Sequence, residues 1–95
     1  MKGYWIAHVD VIDAEQYVNY TRNAPAAFAL YGGKFLARGG SAKAMEGNAE
    51  WQRNVIIEFE SYEQAVKCYE SPEYQAAAAF REGAATAQIV IVQGV

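Results

Sequence analysis

The sequence contains very few of the residues from which disulfides and metal sites are built. It has one cysteine, Cys68, and one histidine, His8, in 95 residues. A single cysteine cannot form a disulfide within the chain, and the helical pattern around Cys68 predicts an inert, buried side chain. One histidine with no cysteine pair gives none of the ligand spacings typical of zinc. We therefore expect no metal and no tightly bound cofactor.

Positive charge and long apolar runs are also scarce. Eight lysines and arginines against eleven acidic residues give a net charge of -3, which disfavours a nucleic-acid-binding surface. No apolar run approaches the roughly 18 residues that a membrane span needs, and no signal-peptide pattern precedes the first predicted strand. The glycine pairs form neither a dinucleotide-binding motif nor a phosphate-binding loop. These absences predict a cytoplasmic protein without a nucleic-acid or membrane partner.

The chain does contain an alternation of strand and helix patterns over one predicted domain, residues 1–95. Apolar and polar residues alternate in four segments, which are the predicted strands: 3–11, 34–38, 54–59 and 87–93. Residues 40–53 are long for a hairpin loop. Part of them is therefore expected to extend the strands around a turn at 46–48.

The predicted helices begin at capping residues. Asp13 caps a first helix, which Pro25 is expected to kink or restart. Ser61 caps a second helix. Ser71 precedes a proline at the first helical position and restarts that second helix, which is predicted to end near Gly83. Helices thus separate the first strand from the second and the third strand from the fourth.

This order of elements, with right-handed crossovers, predicts an α+β ferredoxin-like βαββαβ fold, a four-stranded antiparallel sheet with its helices on one face. Alternate side chains of each strand divide into two faces. The face predicted to lie under the helices comprises Trp5, Ala7, Val9, Val11, Phe35, Ala37, Val55, Ile57, Phe59, Ile89 and Ile91. The opposite face comprises Tyr4, Ile6, His8, Asp10, Lys34, Leu36, Arg38, Asn54, Ile56, Glu58, Gln88, Val90 and Val92.

The second set of side chains is too apolar to face water on its own. Its aliphatic members would form a contiguous apolar patch on an uncovered sheet. A second copy of the same sheet, packed about a two-fold axis, would close two open sheets into one barrel. We therefore predict a homodimeric α/β barrel.

Four segments carry a resemblance to a known family. Residues 3–11 (GYWIAHVDV), 31–40 (YGGKFLARGG), 53–59 (RNVIIEF) and 69–75 (YESPEYQ) resemble the family catalogued as domain of unknown function 1330. The likeness covers essentially the whole chain. It implies a homodimeric member of the dimeric α/β-barrel superfamily and brings no established activity. That superfamily also includes small monooxygenases, an analogy at the level of the fold alone.

Polar side chains of the uncovered face provide the predicted site. His8 and Arg38 are the predicted catalytic residues, with His8 moving a proton near neutral pH and Arg38 holding a carboxylate. Glu58 is expected on the strand next to His8 and beside Arg38. The predicted ligand-binding residues are Tyr4, Asp10, Glu58 and Tyr31. Alternatively, Arg38 and Glu58 form a structural ion pair and His8 donates to a carbonyl, with no chemistry at all.

Two functions follow from this site. The first is an uncharacterised dimeric barrel that binds or transforms a small, partly apolar acidic molecule, in a pocket between sheet and helices or at the dimer interface. The second is a non-catalytic homodimeric structural or accessory module. A cavity lined by His8, Arg38 and a tyrosine would favour the first, and a filled interior would favour the second.

Overall fold

The computed structural model describes residues 1–47 and 50–95, in which four strands and three helices are found. In chain order they are β1 (Gly3–Val11), α1 (Ala14–Leu30), β2 (Lys34–Arg38), β3 (Arg53–Phe59), α2 (Tyr62–Glu70), α3 (Pro72–Ala79) and β4 (Ala85–Gln93). The strands form one antiparallel sheet in the order β2-β3-β1-β4. The predicted ferredoxin-like α+β fold is confirmed, with the second helical segment divided into α2 and α3.

Each helix begins at a side chain that accepts a hydrogen bond from the first turn, as predicted. Asp13 and Ser61 accept from the amides three residues later at 3.1 and 3.0 Å. Ser71 Oγ accepts from the Tyr74 amide at 3.1 Å and donates to the Cys68 carbonyl at 2.6 Å. Ser71 therefore ends α2 and begins α3 with a single hydroxyl.

α1 passes through Pro25 as one helix, so the expected restart is wrong, while the alternative expectation of a kink at Pro25 stays a prediction. Because proline has no amide hydrogen, Pro25 cannot donate the helical hydrogen bond to the Thr21 carbonyl. Buried side chains on both sides, Tyr17 before it and Ala27 and Phe28 after it, hold the helix against the sheet and outweigh that loss. α1 has 17 residues, and none of the helices in the described ranges is long and apolar enough to cross a membrane.

Trp5 is the centre of the core between the sheet and the helices. It is 1% exposed, and its ring centroid lies 5.0 Å from that of Phe28, 6.2 Å from Phe59 and 4.8 Å from Tyr74. One side chain thus contacts α1, β3 and α3. The edge-on contacts with Phe28 and Tyr74 are the geometry that aromatic pairs prefer.

β2 departs from the predicted alternation because it contains a β-bulge. Phe35 pairs with Ile57 on the helix-covered face, and after one extra residue, Leu36, Arg38 pairs with Val55 on that same face. An extra residue in one strand reverses the parity of every position that follows it. Arg38 was predicted on the uncovered face, and that prediction is wrong.

The side of the sheet turned away from the helices, here called the open face, is largely apolar. Ile6 pairs with Ile56 and with Val90 across its two neighbouring strands. Ala37, predicted under the helices, pairs with Ile56 and therefore belongs to this face. Val90 is 53% exposed and Val92 is 44% exposed. These side chains form a continuous apolar strip across all four strands.

Of the segment 40–53, Arg53 extends β3 by one residue, whereas residues 40–47 and 50–52 form neither helix nor strand, so the expected longer extension of the hairpin is wrong. Residues 39–47 contain no β-branched or aromatic side chain that would favour a strand. Side chains hold the far end of the segment instead. The Gln52 amide donates to Asp10 Oδ1 at 2.9 Å, and Gln52 Oε1 accepts from the Val11 amide at 2.9 Å. The predicted turn at 46–48 includes Asn48, which lies outside the described residues.

Candidate functional site

A cavity of about 260 Å³ lies between α1 and the helix-covered face of the sheet. The walls that α1 and the strands contribute are mostly apolar and aromatic, and they include Tyr17, Tyr20, Phe28, Trp5, Val55 and Ile57. Arg38 and Arg53 complete the lining. An apolar space with a few polar groups converging on it is the usual form of a small-molecule site.

The two arginines lie at the same end of the sheet, since Arg38 ends β2 and Arg53 begins β3. The Arg38 guanidinium carbon lies 4.3 Å from the ring centroid of Phe35, and that of Arg53 lies 6.0 Å from the ring centroid of Tyr17. Such contacts orient a guanidinium without neutralising its charge. Within residues 1–47 and 50–95, no carboxylate lies within 4.0 Å of either arginine, and Arg53 Nε is buried without a hydrogen-bond partner.

Gly39 makes room for the Arg53 guanidinium. Its φ is +72°, and a Cβ at this position would lie 2.8 Å from Arg53 Nη1. A side chain there would be strained in the left-handed region and would displace the guanidinium. The Gly39 amide also donates to the Asn54 carbonyl at 3.0 Å, which fixes the loop beside the arginines.

The half-buried Tyr20 at the α1 wall of the cavity is paired with Tyr74, a buried residue of α3. Tyr20 Oη lies 2.9 Å from Tyr74 Oη, and the Arg81 guanidinium carbon lies 5.4 Å from the Tyr20 ring centroid. Burial, followed by the neighbouring Tyr74 hydroxyl, raises the pKa of Tyr20 strongly. Burial also raises the pKa of Tyr74, although the Tyr20 hydroxyl and the Arg81 guanidinium offset part of that rise. Both phenols therefore stay protonated at neutral pH.

Cys68 is buried and its Sγ lies 3.8 Å from the Ala27 carbonyl oxygen. Burial raises the pKa of the Cys68 thiol to about 12, so the thiol carries its proton at neutral pH. The predicted burial of this side chain is confirmed. Among the described residues, no three His, Cys, Asp or Glu side chains are grouped so as to hold a metal ion.

The predicted catalytic residues His8 and Arg38 lie on opposite faces of the sheet. His8 belongs to the open face, where its Nδ1 lies 2.7 Å from Asn54 Oδ1 and its ring stacks on Trp51 at 6.0 Å. Arg38 lines the cavity under α1. The sheet itself separates the two side chains, so they cannot act on one small ligand within this chain.

The four predicted ligand-binding residues are dispersed. Glu58 pairs with Tyr4 and Lys34 across the sheet, whereas Arg38 pairs with Val55, so the expected contact between Glu58 and Arg38 is wrong. Asp10 accepts from the Gln52 amide, and Tyr31 Oη, at the end of α1, donates to Glu73 Oε1 at 3.0 Å. None of the four is in the cavity lining.

Four polar residues of the cavity lining were not among the predicted site residues: Tyr17, Tyr20, Thr21 and Arg53. Position 53 has the same parity as Val55 and Ile57, which would have assigned Arg53 to the helix-covered face if β3 had been predicted one residue longer. Tyr20 offers no comparable signal, because its hydroxyl partner Tyr74 is 54 residues away in the chain.

The fold and the cavity define the class of this protein, an α+β ferredoxin-like chain with a ligand-sized space between its first helix and its sheet. The sequence pattern of the family described as "Domain of unknown function (DUF1330)" matches residues 2–95, and the chain belongs to this family. The resemblance seen in the sequence is therefore confirmed. No curated protein matches the chain.

Solved structures share the fold at low sequence identity. A protein of unknown function from Rhodopseudomonas palustris has a TM-score of 0.75 and 21% identity, covering 99% of this chain and 82% of that chain. A Bacteroides fragilis protein, described as dimeric and of unknown function with a ferredoxin-like fold, gives 0.63 and 13%, covering 98% and 96%. SnoaB, a cofactor-independent oxygenase from Streptomyces nogalater, gives 0.65 and 10%, covering 99% and 93%. These similarities establish the fold alone.

Proposed function

We propose that residues 1–95 form one domain of a homodimeric α/β barrel, and that the cavity under α1 binds a small, partly apolar acid. Arg53 and Arg38 hold the acidic group, and the apolar walls hold the rest of the molecule. The observation that carries this proposal is the pair of guanidinium groups at the edge of an apolar cavity, with no carboxylate of the described residues within 4.0 Å of either.

The charge balance of the cavity supports an anionic ligand. Arginine presents a planar fork of donors that matches a carboxylate, and a buried guanidinium nitrogen without a partner lowers its free energy by gaining one. The volume of about 260 Å³ is near the lower end of small-molecule pockets and suits a compact ligand, such as one with a single ring. Aromatic walls from Trp5, Phe28 and Phe35 favour a planar apolar body.

The apolar open face supports the dimeric part of the proposal. A second copy, related by a two-fold axis, would remove the Ile6, Ile56, Val90 and Val92 side chains from water. The similar Bacteroides fragilis protein is described as dimeric, in keeping with this arrangement. His8 would then lie between the two sheets, away from the cavity.

The alternative is a non-catalytic homodimeric accessory module, in which the cavity binds nothing. The discriminating test is a thermal-shift and calorimetric titration with benzoate and with its neutral analogue benzamide. We expect benzoate to bind and benzamide to bind at least about tenfold more weakly, because only the anion completes the arginine donors. The likeness in fold to a cofactor-independent oxygenase suits a site that uses side chains alone.

Arginine variants identify the site of binding. Arg53→Gln and Arg38→Gln should each weaken benzoate binding, with a loss of about tenfold for the half-buried Arg53 and less for the exposed Arg38. Arg22→Gln is the matched control, since Arg22 is an exposed arginine of α1 outside the cavity. Equal benzoate affinity in the double Arg38/Arg53 variant and in the Arg22 control would refute the proposed site.

A further inference from the structure

The hydroxyl pair of Tyr20 and Tyr74 contains one proton more than the bond between them uses. Each phenol has a single O–H, and at 2.9 Å the two oxygens share one hydrogen bond. One O–H therefore remains to be donated elsewhere. In the part of the chain that the structure describes, neither hydroxyl has another side-chain acceptor. The second proton is therefore available to an acceptor outside the pair.

The surroundings of the pair decide which tyrosine keeps the free O–H. Tyr74 is fully buried, at 0% exposure, and it does not line the cavity. Tyr20 does line the cavity. If Tyr20 donated to Tyr74, the Tyr74 proton would be buried without an acceptor, which is unfavourable. The favoured direction is therefore from Tyr74 to Tyr20, which leaves the O–H of the half-buried Tyr20 free to donate to a water molecule or to a molecule in the cavity.

Arg81 lies with its guanidinium beside the hydroxyl pair. Its guanidinium carbon lies 5.4 Å from the Tyr20 ring centroid, its Nε is buried without a partner, and no carboxylate of the described residues lies within 4.0 Å of it. A guanidinium has no acceptor atom, so any phenol oxygen that it meets must accept. A phenol that accepts from a cation or from a second hydroxyl becomes a stronger donor through its own proton.

We propose that Tyr20 is the hydrogen-bond donor of the cavity, that Tyr74 and Arg81 are its positioning residues, and that the ligand is a planar acid with a second oxygen acceptor. This inference rests on the proposed function and narrows its ligand class. Tyr20 lies one helical turn beyond Tyr17, whose ring faces the Arg53 guanidinium. The acidic group of the ligand would then meet the arginines and its second oxygen would meet the Tyr20 hydroxyl, at two places on the wall of one cavity. An aromatic keto acid has this form.

The test compares probes that differ only in the acceptor oxygen. The probes are 3- and 4-acetylbenzoate, and the controls are 3- and 4-isopropylbenzoate, which have nearly the same shape without the carbonyl. Their dissociation constants are measured by calorimetry for the wild-type protein and for Tyr20→Phe, Tyr74→Phe and Tyr69→Phe. Tyr69→Phe is the matched control, because the Tyr69 ring packs on Tyr74 at 5.4 Å but Tyr69 is not in the cavity lining.

We expect the wild type to prefer one acetyl isomer over its isopropyl analogue by about tenfold, and Tyr20→Phe to lose that preference. Tyr74→Phe should retain Tyr20 in the cavity but reduce the preference several-fold, and Tyr69→Phe should keep it. A structural role for Tyr20 would change the stability of the protein and not this ratio. If Tyr20→Phe fails to fold, by circular dichroism, the Tyr74→Phe ratio decides the question.

Three results would overturn the inference. The first is a wild-type protein that binds benzoate but does not prefer either acetylbenzoate over its isopropyl analogue. The second is a preference for the acetyl compound that Tyr20→Phe retains. The third applies if Tyr20→Phe does not fold, and it is a preference that Tyr74→Phe leaves unchanged. In each case benzoate binding that depends on Arg53 would leave the proposed function standing. Absence of binding by every benzoate would end both proposals together.

Discussion

The two faces of the sheet are built from the same strands, and they differ in what their polar groups do. Under the helices, Arg53 and Tyr20 border a cavity and have hydrogen-bonding capacity to spare. On the open face, His8 is bonded to Asn54, Asp10 is bonded to Gln52, and an apolar strip crosses the middle of the sheet. The comparison separates two kinds of surface, one that is concave with unused hydrogen-bond donors and one that is largely apolar with bonded polar groups beside it. The first suits a small ligand and the second suits another protein surface.

The largest difference between the two faces is expected in how much a substitution on each lowers the free energy of unfolding. Trp5→Ala should destabilise the protein by about 3–5 kcal/mol, because it removes the centre of the aromatic core. This loss should not depend on protein concentration. Ile6→Ala, on the open face of the same strand, should cost less, and its cost should grow with protein concentration if that face is covered by a second copy. Urea denaturation at several protein concentrations measures both, and a wild-type midpoint that does not rise with protein concentration would contradict the dimer.

A charge on the open face should break the proposed dimer. Ile56 pairs with Ile6 and Ala37 at the middle of the apolar strip, so Ile56→Asp would bury a carboxylate between two sheets. We expect folded monomers or insoluble protein, measured by light scattering after gel filtration. Ile12→Asp is the matched control because Ile12 is 71% exposed in a turn, and it should remain dimeric. A stable Ile56→Asp dimer would show that the open face is not the interface.

The smallest effect, on benzoate affinity, is expected from the deletion of Leu36. The pairs of Phe35 with Ile57 and Arg38 with Val55 are compatible with a regular strand that lacks Leu36. Arg38 should therefore stay on the cavity side, and benzoate affinity should change by less than about threefold. A loss equal to that of Arg38→Gln would mean that pairing with Val55 does not determine the face on which Arg38 lies.

Most of the fold could be predicted because β1 is a long strand with strict alternation. Trp5, Ala7 and Val9 are buried as their parity predicts, and β1 pairs with both β3 and β4. β2 could not be predicted in the same way. It has five residues, and the apolar run through Phe35, Leu36 and Ala37 fits either parity, so the sequence contains no sign of the bulge.

The site was less predictable than the fold for a related reason. Arg38 was correctly predicted as a site residue, but it was grouped with residues of the open face. The extra residue in β2 places its side chain on the helix-covered face instead. Arg53 was omitted because its strand was predicted to begin at Asn54. Tyr20 acquires its partner, Tyr74, only when α1 packs against α3, and no local pattern in the chain encodes that contact.

The junction of α2 and α3 at Ser71, here called the corner, limits where this chain can vary in length. The chain passes from α2 into α3 with one residue between them, and its hydroxyl serves the end of one helix and the start of the next. An inserted residue would rotate Tyr74 by about 100° around the axis of α3 and withdraw it from both Trp5 and Tyr20. Homologous chains should therefore differ in length between β2 and β3 far more freely than at this corner.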